Sequence, residues 1–217
     1  MKRALLNLYC IVRLPVLLLL RWAMGERGKG ESAVTRILII RLDRIGDFIT
    51  SLAVIKNLAV AFPGAKIDVL VRPYLADLAR LDRHIDHVLV YDGFFRTARR
   101  LKRNGYDLAI DMLHDYSVKT ALLCLASGAR IRAGFAWGFR EVLFTHAVNR
   151  SETQGRKMSE VHLELLKVLN VPVRFTVPQL EVPRHPAEGV LVVSVHPGGF
   201  YPSQRWPRDN FVAVIRS

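Results

Sequence analysis

Asp47 stands where a strand hands over to a helix, one glycine into the turn, and a carboxylate held there can take a proton from a sugar hydroxyl. The stretch reads Ile37-Leu38-Ile39-Ile40-Arg41, Leu42-Asp43-Arg44-Ile45, Gly46-Asp47, and then Phe48-Ile49-Thr50-Ser51-Leu52. The run from Val34 to Ile40, rich in β-branched residues, predicts a buried parallel strand. In an open parallel sheet the carboxyl end of such a strand is where ligands bind. Gly46 permits a tight approach, and Asp47 sits where the first unpaired helical N–H groups point. The same position suits a residue that only caps the helix, and spacing alone favours the cap. Asp43 is the next carboxylate along. Asp82, His84, Asp86 and His87 have the spacing of metal ligands, but no cysteine or third histidine stands near them, so they read as loop residues. His162 reads as structural.

The elements that must position these groups alternate regularly. Strand Val34–Arg41 leads to helix Asp47–Phe62, whose apolar residues Ile49, Leu52, Ile55, Leu58 and Phe62 fall on one face and stop at Pro63-Gly64. Strand Lys66–Val71 follows, then a short helix from Pro73 to Leu81 and a short strand Val88–Tyr91. A basic helix Phe94–Arg103 precedes strand Tyr106–Asp111. A helix from about Tyr116 to Ala126 precedes strand Arg130–Phe135. Residues 141–148 fit no single period, and an amphipathic helix covers Met158–Leu169. This alternation predicts a parallel sheet covered on both faces, a Rossmann-like α/β domain over residues 34–170. Residues 171–189 carry Pro172, Pro178, Pro183 and Pro186 and read as an extended connector. At 190 a second α/β domain is expected to begin, with strand Val190–Val195 and a helix near Arg208 behind Pro207. A domain needs about 100 residues for its own sheet, so the chain is expected to be cut short within 190–217.

Half of the 217 residues are hydrophobic, which excludes a disordered chain. Cys10 and Cys124 stand far apart and form no disulfide framework, as in a reducing cytoplasm. The net charge is +13, a balance that favours membrane surfaces, phosphorylated substrates or nucleic acid as partners. Lys2, Arg3, Arg13, Arg21, Arg27 and Lys29 contribute to it against Glu26 alone in the first thirty residues. Ala4 to Leu20 is nearly all apolar. On a helical projection Lys2, Arg3, Asn7, Arg13 and Arg21 share one face, while Leu5, Leu8, Ile11, Val12, Leu19 and Trp22 share the other. Residues 1–24 therefore read as a helix lying in a membrane interface with its arginines among head groups. A spanning anchor is the second reading, opposed by the central Arg13. A signal peptide is the third, and no small-residue cleavage site follows it. Residues 25–33 read as a flexible linker.

Three segments in this order carry a family resemblance: Ile37 to Asp47, Phe62-Pro63-Gly64-Ala65-Lys66-Ile67-Asp68, and His196-Pro197-Gly198-Gly199 before Gln204-Arg205-Trp206-Pro207. From Val34 onward the chain resembles the ADP-heptose:lipopolysaccharide heptosyltransferases of glycosyltransferase family 9. The resemblance implies the two-domain GT-B architecture, with an acceptor-binding amino-terminal domain facing a nucleotide-sugar-binding one. It implies an inverting transfer at the cytoplasmic face of the bacterial inner membrane, from an ADP-heptose-like donor to an anionic, lipid-linked saccharide. It makes Asp47 the general base rather than a cap, and places His196, Gly198, Gly199 and Arg205 beside the donor diphosphate. It turns Arg44, the basic run Arg96, Arg99, Arg100, Lys102 and Arg103, and Lys119 toward the acceptor. Five cations in eight residues repel one another unless they are solvated or meet phosphates. No Asp-x-Asp pair occurs, in keeping with chemistry that needs neither metal nor cofactor. Trp206 is expected to pack a helix.

Two other classes remain open. An inactive or truncated module that only binds acceptor would share these features, and this 217-residue form is itself expected to be inactive. A basic nucleic-acid-binding α/β protein would account for the charge, although no aromatic-interleaved basic strand is present. A Rossmann dehydrogenase lacks its Gly-x-Gly-x-x-Gly turn.

Overall fold

The computed structural model describes residues 13–22, 33–180, 193–198, 203 and 205–216. They fall in two units, Met1–Glu181 and Val182–Ser217. The first is built on six strands: β1 (Arg36–Arg41), β2 (Lys66–Val71), β3 (His87–Val90), β4 (Leu108–Asp111), β5 (Ile131–Phe135) and β6 (His146–Val148). All pair in parallel, in the order β3-β2-β1-β4-β5-β6. Ile39 at the centre registers with Val69 on one side and Ile110 on the other.

Strands apolar on both faces need cover on both faces, and alternation along β1 divides the core in two. Ile37 and Ile39 join Val69, Ile110 and Phe135 under α2 (Ile45–Ala61), α3 (Ala76–Ala79) and α6 (Met158–Val168). Leu38 and Ile40 join Leu70 and Ala109 under α4 (Phe94–Asn104), α5 (Lys119–Ala126) and α1 (13–22), which contributes the buried Leu17. Leu52, Ile55 and Leu58 of α2 face the sheet at the spacing the sequence predicts, whereas Ile49, expected on the same face, is exposed and Phe48 is buried in its place.

The differences from expectation are local and have causes. Helix α2 starts at Ile45, two residues early, because extended Arg44 takes the N-cap position without a side-chain cap bond. Asp47 therefore lies inside the first turn and is not a cap. Residues 141–148 resolve into a 3-10 turn, Arg140–Leu143, and the three-residue strand β6, both too short to show a period. Around β5, Gly134 is packed directly under the Phe144 ring, leaving no room for a Cβ. Asn57 of α2 pins the segment after α6, accepting from the N–H groups of Arg174 and Phe175 at 2.7 and 3.1 Å.

In the second unit, helix α7 (Arg208–Arg216) forms where expected. Residues 193–198 are not a strand, which corrects the expectation for Val190–Val195, and 190–192 lie outside the described residues. Trp206 meets the Phe211 ring edge-on at 5.1 Å. No helix among the described residues is long and apolar enough to cross a membrane. Residues 1–12 and 23–32, with most of the anticipated anchor and linker, lie outside the description, as does Gly199.

Candidate active site

The sheet order reverses between β1 and β4, and there the chain ends of two neighbouring strands part and leave a cleft. Its volume is about 140 Å³, and Arg41, Asp43, Asp47, Leu113, His114, Asp115, Met158 and His162 line it. The first turn of α2 opens into it, bringing unpaired N–H groups and the positive end of a 17-residue helix. A Cβ added at Gly46 would meet nothing within 4 Å and its φ is not positive, so the expectation that this glycine permits a tight approach is corrected.

Arg41 organises this ground. As the last residue of β1 it is buried, yet it carries a guanidinium. Its Nε and Nη2 donate to the Asp47 carbonyl at 3.0 and 2.6 Å, and Nη1 donates to the Met112 carbonyl after β4. One side chain thus ties the ends of β1, α2 and β4 together. Nη2 also lies 3.2 Å from Nε2 of His162. Because arginine can only donate, Nε2 accepts. Burial, reinforced by the adjacent Arg41 charge, pushes His162 down to about 3, so it stays neutral and serves as a fixed acceptor.

Two carboxylates flank the guanidinium differently. Asp43 Oδ1 lies 3.1 Å from Arg41 Nε, and Asp47 Oδ1 lies 3.8 Å from Nη2 with about a third of its side chain exposed. Asp47 is oriented through its own backbone while its carboxylate lines the cleft, with Arg41 its one close partner among the described residues. Asp43 is pushed up to about 6, chiefly by burial, with Arg41 opposing and Asp47 adding to the rise. A carboxyl raised in the folded state costs nothing below its unfolded value near 4. It costs stability progressively as pH climbs through 6, where the fold must hold it ionised. Asp43→Asn, which stays neutral, is therefore expected to be more stable than wild type at pH 8 by roughly 2 kcal/mol and equal to it near pH 4. Urea denaturation at the two pH values measures this, and a difference independent of pH would contradict it.

Behind the cleft lies a buried pair that no motif announced. Arg140 and Asp111 have wholly buried side chains and are bonded to each other. Arg140 also donates to Thr120 Oγ1 at 3.2 Å and to the carbonyls of Leu113 and Asp115 at 3.2 and 2.8 Å. This fixes the loop after β4, on which His114 and Asp115 enter the cleft. Trp137 Nε1 donates to His114 Nε2 at 3.2 Å, and the Trp137 ring stands edge-on to Tyr116 at 5.0 Å.

The expected acceptor residues spread along the fold. Arg44 is exposed at the start of α2, and Lys119 opens α5 with Nζ 4.4 Å from the centre of the Tyr91 ring. Helix α4 runs back against the strands. Arg96 and Arg100 are tied to the end of β3 through the carbonyls of Asp92 and Val90 at 3.0 and 2.6 Å. Lys102 and Arg103 reach the opposite edge of the sheet, where Arg36 at the start of β1 donates to Asn104 O at 2.9 Å. The basic run is thus a stripe down an exposed helix, not a cluster at Asp47. The Asp82–His87 segment does structural work: Asp82 accepts from the His84 N–H at 2.8 Å, His87 meets Asp68 at 2.8 Å, and Asp86 accepts from the Ile67 N–H at 2.8 Å.

In the second unit Arg205, Pro197, Trp206, Phe211 and Arg208 line a hollow of about 500 Å³. His196 is exposed, and a Cβ at Gly198 would press on its ring at 3.2 Å. Of the four expected donor residues, then, Arg205 lines the hollow, and His196 and Gly198 flank Pro197, which also lines it.

The model of glycosyltransferase family 9 (heptosyltransferase) matches residues 94–217. A curated Haemophilus influenzae protein with the name "Putative glycosyltransferase" is 26% identical over 149 residues, 64% of this chain and 42% of the relative. A family 9 glycosyl transferase from Veillonella parvula superposes with a TM-score of 0.68 at 21% identity, over 86% of this chain and 60% of that one. The E. coli ADP-heptose lps heptosyltransferase II superposes with a TM-score of 0.58 at 23% identity, over 69% and 47%. The chain therefore spans roughly half the length of these relatives, with their α/β fold. Since the family model matches more than half of the residues, including α4, the cleft loop after β4 and the Arg205 turn, the chain belongs to glycosyltransferase family 9.

Proposed function

We propose that the protein is an inverting glycosyltransferase. It moves a heptose, or a related sugar, from an ADP-heptose-like donor to an anionic, lipid-linked lipopolysaccharide core saccharide at the cytoplasmic face of the bacterial inner membrane. The observation that carries the reading is the Asp47 carboxylate, aimed into the cleft between β1 and β4 and oriented through its own carbonyl by Arg41.

The reaction needs a base on one face of the anomeric carbon and charge stabilisation on the other. Asp47 takes the proton of the acceptor hydroxyl as its oxygen bonds to the anomeric carbon. The bond from that carbon to the diphosphate oxygen breaks, and the nucleoside diphosphate leaves with the electron pair. His196, Gly198, Gly199 and Arg205 are assigned to the diphosphate. Arg44, Arg96 and Lys119, nearest the carboxyl edge, take the acceptor phosphates close to the reacting hydroxyl. Arg99, Arg100, Lys102 and Arg103 continue the stripe away from it, suiting an extended polyanion. Mass spectrometry of a phosphorylated core acceptor, incubated with ADP-heptose and a form of the protein that carries a complete second α/β domain, is expected to show one added heptose per acceptor. Acceptor binding without transfer from any nucleotide sugar would replace this reading with that of a binding module.

A further inference from the structure

Helix α1 is turned the opposite way from an ordinary head-group helix. Arg13, Leu17 and Arg21, spaced every four residues, form its inner face. Arg13 donates through Nε to Gly138 O and through Nη1 to Tyr116 O, each at 3.1 Å, and Arg21 donates to Val142 O at 3.2 Å. Leu17 is buried in the core shared with α4 and α5. The expectation that these two arginines reach lipid is thereby corrected. Outward stand Val16, Leu18, Leu19 and Trp22, exposed by 57, 47, 62 and 81%.

We propose that α1 seats this apolar face on an anionic bilayer while Arg13 and Arg21 stay bound to the protein. Three observations select lipid over a second copy of the chain. No acidic residue precedes Glu26. The sheet face that carries α1 also carries α4, with exposed Arg96, Arg99, Lys102 and Arg103 and with Phe95 exposed by 85%. Joining two such faces would oppose like charges, whereas an anionic surface complements them. Trp22 at the rim is the residue type that settles at a head-group boundary. Held to the protein along Arg13, Leu17 and Arg21, the helix offers its surroundings one apolar side, as a helix lying flat on a bilayer does.

The arrangement joins docking to the site. The carbonyls that hold Arg13 belong to Tyr116, next to Asp115 of the cleft, and Gly138, two residues before Arg140. Seating α1 thus sets the cleft rim beside the lipid surface. This deepens the reading of a lipid-borne acceptor given above, and saccharide-free vesicles keep the two separable. Docking can fail while transfer to a detergent-dispersed acceptor survives, and the converse holds.

The test uses vesicles of phosphatidylcholine with phosphatidylglycerol and no saccharide. Brominated acyl chains are expected to quench tryptophan emission, and the quenching should vanish in Trp22→Phe. Leu19→Glu, on an exposed site, should keep the wild-type melting temperature and lower vesicle affinity at least tenfold. Arg13→Gln with Arg21→Gln should leave that affinity within about threefold. Added salt should weaken binding without abolishing it. Three results would each overturn the proposal: wild-type affinity in Leu19→Glu, an equal loss in the arginine double variant, or lipid-independent self-association that Leu19→Glu abolishes.

Discussion

Asp47→Asn, made in a form that carries a complete second α/β domain, is expected to lower turnover by two to four orders of magnitude, the usual contribution of a positioned general base, while the fold loses less than about 1 kcal/mol. The second half follows from the position of Asp47. It is not the N-cap of α2, so no cap bond is lost. Arg41 grips its backbone carbonyl, which the substitution leaves in place. What disappears is a carboxylate charge 3.8 Å from Arg41 Nη2 and its attraction to the helix N-terminus, together worth a few tenths to about 1 kcal/mol at a partly exposed site. Donor affinity should be retained, because the residues assigned to the diphosphate belong to the second unit. Parallel measurement of kcat and of the urea midpoint separates the roles. Near-wild-type turnover in a stable Asp47→Asn protein would remove Asp47 from the chemistry and turn attention to Asp43.

Arg140→Met should cost the fold about 3–5 kcal/mol, because it strands Asp111 without its cation in the core. Both side chains are fully buried, so water cannot replace the lost partner, and the carbonyls of Leu113 and Asp115 lose their donor as well. Substituting Asp111 by Leu in the same chain should recover much of the loss, since an apolar pair of similar volume removes the stranded charge. Denaturant midpoints of the two single variants and the double variant measure the coupling. A single-variant loss below about 1 kcal/mol would show that the pair does not hold the cleft loop.

What the sequence disclosed was local. The six-residue run Lys66–Val71 stands where its pattern puts it, and Leu52, Ile55 and Leu58 of α2 keep the predicted spacing toward the sheet. The start of α2 was misplaced because the side-chain preference of Asp47 for a cap competes with a backbone that already turns at Arg44. The organising role of Arg41 was not legible, since its acceptors come from α2 and the end of β4, 71 residues away in the case of Met112. A guanidinium closing an otherwise apolar buried strand was the available signal. Arg13 is a sharper case. Its charge places it on a polar helical face, yet its partners lie 103 and 125 residues onward, so a projection of the helix alone assigns that face to lipid. The Arg140–Asp111 pair left no trace, because neither residue lies in a motif and only the fold brings them together.

The most direct measurement of the central claim is the anomeric configuration of the transferred sugar, read by NMR from its one-bond carbon–proton coupling and compared with that of the donor. A base at Asp47, acting on the face opposite the departing diphosphate, requires a single displacement and predicts inversion. Retained configuration would contradict it, since Asp47 or another group would then have to attack the sugar itself.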